Sequence, residues 1–351
     1  MKTVAVIHDK HGEPLSLDEI QISPPGEDDV VVQMFASGIC GSQLYNLSSP
    51  NVPLPELLGH EGTGVVIQAG RNVKHVQEGD HVMVSWMPYN ATAKTEYLQW
   101  QEVMWKNQPI RSVIFTWAQH SIMHSQFVSK MDKDLEKYSL AVMGCAGITG
   151  YGSVLNSVKV NPEQSVVIFG VGGLGVLAAN AAHNLKANPI IAVDIDNEKL
   201  EFSKKFGITH TINSKESNAV EEIQRLTDGG ADYVFDMVGT PEIREKTILA
   251  AKPGIAGYCE GGTTVLVGFS AGQSELNATR SILMGQRTYK GSRGGACIPA
   301  RDFPIFYQLF RDGKLLLEES VTRRVKLAQI NEVIDDFLAG KVLGRAIIEI
   351  S

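Results

Sequence analysis

The fold is decided by residues 165–199, which read SVVIFGVGGLGVLAANAAHNLKANPIIAVDIDNEK. An apolar run rich in β-branched residues at 166–169 is typical of a buried parallel strand. A G-x-G-x-x-G turn follows at 170–175, then an alanine-rich helical segment at 176–186 and a second apolar strand at 190–193 that ends at Asp194. Strand, glycine turn, helix, strand and acid, in this order, predict a dinucleotide-binding unit.

The turn and the acid each have a physical role in such a unit. Gly170 allows the tight turn, Gly172 lets the backbone approach a pyrophosphate, and Gly175 lets the helix pack closely on the strand. The helix N-terminus offers free N–H groups to phosphates. Asp194 stands about 20 residues further on, where its carboxylate can accept both hydroxyls of an adenosine ribose. Because this charge would repel a 2′-phosphate, it favours NAD over NADP. The other turn residues predicted to bind the cofactor are Gly173 and Leu174.

A transmembrane span is the alternative interpretation of this stretch, because residues 165–182 carry no charge. Four glycines within six residues, directly after a strand pattern, argue against it.

The composition is that of an ordinary globular protein. The chain has 351 residues, enough for two domains, with 43% hydrophobic and 20% charged residues. Its net charge of −7 gives no basic field for nucleic acid or for an anionic membrane. The four cysteines are widely separated and no signal-peptide pattern opens the chain, so a reducing, cytoplasmic location is expected.

The rest of the chain predicts an α/β fold with two parts. Residues 1–86 read as short β-branched strands, and 345–350 alternate like an edge strand that returns to this part. Beyond Asp194, strands and helices alternate, which indicates a doubly wound parallel sheet. Residues 131–143 are predicted to be helical.

Two glycine-flanked segments place polar side chains on tight loops. They are GICGS at 38–42 and GHEGTG at 59–64. Taken singly, Cys40 is most simply a small buried hydrophobe, and His60 a hydrogen-bonded loop residue.

Taken together, these segments resemble the zinc-containing medium-chain alcohol dehydrogenase family over nearly the whole chain. The matching stretches, besides the glycine turn, are GICGS at 38–42, GHEGTGVV at 59–66, GDHV at 79–82, GCAGITGYGS at 144–153 and INEVIDDFLAGKVLGRAII at 330–348. The resemblance implies a GroES-like catalytic domain over residues 1–146 and 293–351. It also implies a Rossmann NAD-binding domain over 147–292. Homodimers and homotetramers are usual among such relatives.

The resemblance further implies that Cys40, His60 and Cys145 hold one catalytic zinc. Two thiolates and one imidazole suit Zn²⁺ and leave a fourth position open for substrate. Glu61 would lie behind the metal and Ser42 would take or return the alcohol proton. The cofactor residues implied by the resemblance are Thr149 at the nicotinamide, Lys199 at the ribose and Arg345 near the pyrophosphate. Further cofactor candidates at strand ends are Val238, Val267 and Phe269.

Three departures from the family pattern stand out. The family's four-cysteine structural zinc lobe is absent, since no cysteine lies between Cys40 and Cys145, so residues 87–115 are expected to be held by packing alone. Gln43 replaces the aspartate that supports the zinc-bound histidine. Tyr45 replaces a proton-relay histidine, and a phenol with a pKa of about 10 is a poorer relay at neutral pH.

The implied activity is interconversion of an alcohol or polyol and its aldehyde or ketone with NAD. Trp86 and Trp117 match aromatic residues that line the family's substrate pocket, although such residues are more often core. Lys94, Lys106 and Arg111 could meet an anionic substrate but are more simply solvated surface. Two alternatives stay open: a redox-neutral enzyme with tightly bound NAD, of dismutase or cyclase type, and a catalytically silent NAD(H)-binding sensor.

Overall fold

A computed structural model describes residues 1–90, 100–269 and 276–351, which divide into two compact units. The first unit comprises Met1–Cys145, Ile298–Asp312 and Leu317–Ser351. The second comprises Ala146–Cys297 and Gly313–Leu316. Lys94 lies outside the described residues.

The first unit is rich in β-strands, as its β-branched runs predict. Its N-terminal elements are β1 (Lys2–His8), β2 (Ser16–Ile22), β3 (Asp29–Ile39), α1 (Gly41–Ser48), β4 (Glu56–Leu57), β5 (Glu61–Ala69), β6 (His81–Ser85), β7 (Gln101–Trp105), β8 (Gln108–Ser112), β9 (His120–His124) and β10 (Val128–Met131). One sheet has the strand order β4-β1-β2-β7-β8 over the described residues.

The second unit contains the parallel sheet. Its elements are α2 (Gly152–Asn156), β11 (Val166–Phe169), α3 (Gly175–Asn184), β12 (Ile190–Asp194), α4 (Asn197–Ser203), β13 (His210–Asn213), α5 (Ala219–Leu226), β14 (Tyr233–Asp236), α6 (Pro241–Ala250), β15 (Thr263–Leu266), α7 (Thr279–Met284) and β16 (Thr288–Gly291). All neighbours in the order β13-β12-β11-β14-β15-β16 are parallel. Because the order reverses at β11, the sheet is doubly wound, and the predicted fold class is confirmed.

The C-terminal part of the chain returns to the first unit. Its elements are α8 (Pro299–Arg311), α9 (Leu317–Ser320), β17 (Val321–Lys326), α10 (Ile330–Leu338) and β18 (Arg345–Glu349). Strands β17 and β18 extend a second sheet of the first unit, in the order β10-β6-β5-β3-β18-β17, with β9 also paired to β3.

Two predictions about single elements are wrong. Strand β18 is internal, because β3 pairs with it on one side and β17 on the other, and its backbone is buried as a result. Residues 131–143 do not form one helix. Met131 ends β10, a turn from Asp132 to Leu135 follows, and only 139–144 form a short 3₁₀ helix.

The region after residue 100 is held by more than packing. Strands β7 and β8 form a hairpin whose turn residues, Lys106 and Asn107, both have positive φ. Strand β7 pairs with β2, and the indole of Trp105 donates a hydrogen bond to Asp18 at 2.9 Å. The expectation of packing alone is therefore wrong for the described part of this region.

A search of the described helices finds none with the length and apolarity that a membrane crossing requires. The charge-free stretch at 165–182 forms β11 and most of α3, with the glycine turn between them.

The internal position of β18 predicts a large effect of truncating its core side chains. Ile347 has no exposed surface, so Ile347→Ala is expected to lower the free energy of unfolding by about 2–5 kcal/mol, because it leaves a cavity. Denaturant titration followed by circular dichroism measures this. The control, Lys341→Ala, removes an exposed side chain and should change stability by less than about 0.5 kcal/mol. Equal losses in the two variants would mean that β18 contributes little to the core.

Candidate active site

Four metal-binding side chains converge in the first unit. Cys40, His60, Glu61 and Cys145 each offer a ligand atom, and all four atoms lie within 4.8 Å of one another. Among the described residues, this is the one place where at least three side chains of the metal-binding types lie close enough to hold an ion. In the sequence its members span positions 40 to 145, and the fold brings them together.

The sheet explains the convergence. Cys40 directly follows β3, while His60 directly precedes β5, and the two strands are antiparallel neighbours. The end of one strand therefore lies beside the start of the other. Cys145 reaches the same place because the hydroxyl of Ser85, at the end of β6, donates a hydrogen bond to the carbonyl of Gly144 at 2.7 Å.

The spacing of the donor atoms fits a tetrahedral zinc ion. Zn–S distances of about 2.3 Å and Zn–N distances of about 2.0–2.1 Å imply a separation of about 3.8 Å between two sulfurs and about 3.6 Å between sulfur and nitrogen. The Sγ atoms of Cys40 and Cys145 are 3.9 Å apart, and Nε2 of His60 is 3.3 Å from Sγ of Cys145. Two thiolates and an imidazole also match the ligand preference of zinc.

The cluster favours the ionised form of one thiol even without a metal. The hydrogen bond from Cys145 holds the pKa of Cys40 well below its usual range, and the same contact raises the pKa of Cys145. Burial alone would lower the pKa of His60, but the hydrogen bond and negative charge of Cys40 outweigh it and raise that pKa. The site thus holds one thiolate beside a second thiol and an imidazole, a donor set that suits zinc.

Behind the ligands, Glu61 forms a buried ion pair with Arg345. Nη2 of Arg345 donates to Oε1 of Glu61, and the two side chains are 5% and 0% exposed. Burial alone would lower the pKa of Arg345, but the charge of Glu61 outweighs it and raises that pKa. The pairing register of β18 with β3 joins Ala346 to Ile39, and so sets Arg345 beside Cys40. Its predicted role at a pyrophosphate stays a prediction.

Helix α1 carries the residues expected to handle protons. The hydroxyl of Ser42 is exposed and donates to Sγ of Cys40 at 3.3 Å. Tyr45 lies three positions along the same helix and is 40% exposed. Gln43 points inward, and its buried Oε1 makes no hydrogen bond within the described part of the chain.

The two tryptophans assigned to a pocket wall differ in burial. Trp86 is half-buried just beyond β6. Trp117 is 0% exposed, and it belongs to a core cluster that includes Val6 and Leu58. Its indole N–H donates to the carbonyl of Gly38 at 3.1 Å. The pocket role of both tryptophans stays a prediction.

Removal of one thiol is expected to abolish metal binding. In Cys145→Ala only two of the three assigned ligands remain, so zinc should be lost on dialysis, while NAD binding should persist because the glycine turn belongs to the other unit. Metal analysis and titration calorimetry with NAD measure the two properties. The matched control is Cys259→Ala, which removes an exposed cysteine. Full zinc content and activity in Cys145→Ala would show that the ligand assignment is wrong.

In the second unit, the glycine turn leaves room for a phosphate. A Cβ built on Gly172 would meet nothing within 4 Å, so its backbone is open to a ligand. Gly170 has a φ of +86°, which favours glycine, and its Cβ would lie 2.6 Å from Val238. A Cβ on Gly175 would collide with the carbonyl of Gly170, so α3 could not begin so close to β11. The predicted cradle thus fits a pyrophosphate.

Asp194 is fixed at the end of β12 by three backbone amides. Its Oδ2 accepts from Val171 at 2.9 Å, and its Oδ1 accepts from Ile195 at 2.7 Å and from Asp196 at 3.2 Å. The carboxylate is therefore held beside the glycine turn, where the sequence predicts the ribose.

The other cofactor candidates lie on nearby turns of the second unit. Thr149 is in a π-helical turn, and its buried hydroxyl makes no hydrogen bond among the described residues. Lys199 lies in the first turn of α4, Val267 is half-buried, and Val238 and Phe269 are 38% and 72% exposed.

Sequence reasoning missed the residue that shapes one of these turns. Asp236 ends β14, is fully buried, and accepts from the amides of Val238 and Gly239 at 3.0 and 2.7 Å. Burial raises its pKa. The signal in the sequence is an aspartate at the end of a predicted strand with a glycine, Gly239, three residues later.

Replacement of Asp194 is expected to relax cofactor preference. Asp194→Ser removes the charge that would repel a 2′-phosphate, so the ratio of kcat/KM for NADP to that for NAD should rise by about tenfold or more, equivalent to about 1.4 kcal/mol. The control is Asp196→Ser, which removes a charge two residues away and keeps a residue that can cap α4. An unchanged ratio in Asp194→Ser would contradict the ribose assignment.

Known protein families match residues in both units. A family model described as "Alcohol dehydrogenase GroES-like domain" matches residues 26–133, and one described as "Zinc-binding dehydrogenase" matches residues 173–312. The first match confirms the predicted GroES-like fold, and together the two cover most of the chain.

Curated relatives and solved structures match over nearly full length. The chain is 29% identical to an alcohol dehydrogenase class-3 of Pisum sativum, over 94% of this chain and 93% of that protein. It is 28% identical to an S-(hydroxymethyl)glutathione dehydrogenase of Candida maltosa, over 97% and 94%. The crystal structure of benzyl alcohol dehydrogenase from Acinetobacter calcoaceticus matches with a TM-score of 0.89 and 28% identity, over 100% of both chains.

Proposed function

Because this chain belongs to the zinc-containing medium-chain alcohol dehydrogenase family, we propose that it interconverts an alcohol or polyol and its aldehyde or ketone with NAD. The observation that carries the proposal is the cluster of Cys40, His60 and Cys145, whose donor spacing fits a zinc ion. Glu61 and Ser42 lie beside it. The substrate is a small-molecule alcohol or carbonyl compound.

The chain's residues divide the work of the reaction. When bound, zinc supplies a Lewis acid that acidifies an alcohol or polarises a carbonyl, and NAD supplies the hydride acceptor. Ser42 takes or returns the alcohol proton, which its exposed hydroxyl beside Cys40 supports. Tyr45 is on the same helix and partly exposed, so a proton leaving Ser42 has solvent within one helical turn. This short route compensates for the absence of a histidine relay.

The second unit binds the cofactor through its glycine turn. Backbone N–H groups at 170–175 and the N-terminus of α3 receive the pyrophosphate. Asp194 and Lys199 receive the adenosine ribose, and Thr149 packs by the nicotinamide. We also assign Val238, Val267 and Phe269 as cofactor contacts. Arg345 is proposed as a further contact near the pyrophosphate. Trp86 and Trp117 are proposed for the wall of the substrate pocket.

The domain boundaries, compartment and assembly are also part of the proposal. Residues 1–146 and 293–351 form the catalytic domain, and 147–292 the NAD-binding domain. A cytoplasmic location suits a chain whose four cysteines, all within the described residues, form no disulfide and whose function requires two of them as thiolates. The active form is a homodimer or homotetramer.

Two other functions fit the same fold. A redox-neutral enzyme would keep NAD bound and return the hydride to the same substrate, and a silent NAD(H)-binding sensor would need no metal. The intact donor set disfavours the sensor, because a partly buried cluster of two thiols, an imidazole and a carboxylate has no evident structural use without an ion.

The decisive experiment combines metal analysis with a substrate panel. We expect one zinc per chain and NAD-dependent turnover of at least one alcohol or aldehyde in a panel that spans aliphatic, aromatic and polyol compounds. One zinc with tightly bound NAD but no exchange with added NAD would indicate the redox-neutral enzyme. NAD binding in protein that takes up no zinc would overturn the proposal in favour of the sensor.

A further inference from the structure

We propose that residues 115–118, named here the FTWA brace, fix the relative positions of the two loops that carry Cys40 and His60. Thr116 and Trp117 are its positioning residues, and their hydrogen bonds to the ligand loops go to backbone carbonyls and to Ser37, not to a ligand side chain. The inference rests on the proposed zinc site. It assigns these two residues to metal affinity and geometry, in addition to the pocket role predicted for Trp117.

The hydroxyl of Thr116 joins the two loops directly. It lies 2.7 Å from the hydroxyl of Ser37, near the end of β3, and 3.1 Å from the carbonyl of Glu61, at the start of β5. The hydroxyl of Ser37 lies 2.8 Å from the same carbonyl. Because each hydroxyl has one proton, two of these three contacts are hydrogen bonds at a time: one hydroxyl donates to the other, which donates to the carbonyl, or both donate to the carbonyl. Thr116 is fully buried, so these bonds are made without competition from water. Three polar groups thus connect the strand before Cys40 with the strand after His60.

Trp117 contacts the same two loops by other atoms. Its indole donates to the carbonyl of Gly38, two residues before Cys40, at 3.1 Å. Its backbone amide and that of Thr116 both donate to the carbonyl of Leu58, two residues before His60, at 3.0 Å. Each ligand loop is therefore bonded to the brace within two residues of its ligand.

The glycines of the loops show how tightly the brace fits. Gly59 has a φ of +97°, and a Cβ there would lie 2.6 Å from the amide nitrogen of Trp117 and 2.7 Å from that of Thr116. Real Cβ atoms do not approach other atoms this closely, so glycine is required at 59, where the loop of His60 passes the brace. A Cβ on Gly38 would lie 2.5 Å from the carboxyl carbon of Glu61, so the two ligand loops also lie close to each other. A small movement of the brace would be passed on to both ligands.

The brace is itself anchored to a rigid element. The amide of Val6 donates to the carbonyl of Trp117, and the amide of Gln119 donates to the carbonyl of Val4, both at 2.9 Å. These bonds attach it to β1, whose pairing with β2 runs over six residues. A supporting segment that is itself fixed to the sheet can keep the two ligand loops at a constant separation and orientation.

Two conservative variants test the proposal. Thr116→Val keeps the shape but removes the hydroxyl, and Trp117→Phe keeps a buried ring but removes the indole N–H. We expect each to raise the zinc dissociation constant by about 10–100-fold, measured by competition with a chromophoric chelator, because supporting residues of metal ligands typically have effects of this size. The visible bands of the Co²⁺-substituted protein should shift, since they report ligand geometry.

Two controls separate positioning from general stability. Thr116→Ser retains the hydroxyl and should bind zinc as the wild type does. Val333→Ala truncates a fully buried residue in the core cluster of Trp117 and should lower stability without changing zinc affinity or the Co²⁺ spectrum. Wild-type zinc affinity and spectra in both Thr116→Val and Trp117→Phe would overturn the brace and leave the proposed function intact. Failure of the wild-type protein to bind zinc would instead overturn the proposed function.

Discussion

The buried ion pair of Glu61 and Arg345 is the interaction on which the first unit depends most. Both charges are removed from water, which is costly unless each has its partner. Cys40 and Cys145 lie beside this pair and would add two further negative charges as zinc-bound thiolates. With Glu61 they would then give three negative charges against the one positive charge of Arg345, and the divalent cation itself balances the sum. The ion pair and the two cysteines are therefore consistent as a metal site.

This pair also explains why the C-terminal strand enters the sheet. Arg345 lies behind the ligands because β18 pairs with β3 on one side and with β17 on the other. The chain thus comes back from the second unit to complete the charge balance of a site whose ligands belong to its first 145 residues.

The parts of the fold and of the candidate site that depend on a local pattern could be predicted from the sequence. The glycine turn and Asp194 both lie within residues 165–199, so periodicity and spacing suffice to place them. The sequence-based predictions are wrong where the structure of a segment depends on residues that are distant in the chain. The alternation at 345–350 cannot reveal that β17 covers its outer side, because that depends on a partner strand elsewhere. At the start of 131–143, Met131 belongs to β10, whose pairing with β6 cannot be read from the local pattern. Similarly, no local pattern identifies Thr116, whose hydroxyl is defined by its bonds to Ser37 and Glu61.

The β7–β8 hairpin shows how the site can be supported without the family's four-cysteine lobe. The FTWA brace begins three residues after β8 ends, so whatever fixes the hairpin also fixes the entry to the brace. Trp105 bonds to Asp18 on β2, and the amide of Gln101 donates to Asp29 at the start of β3 at 3.0 Å. These contacts tie the hairpin to β2 and to the start of β3, the strand that leads to Cys40. Hydrogen bonds and strand pairing therefore fix the hairpin, and with it the entry to the proposed brace beside the loops of Cys40 and His60.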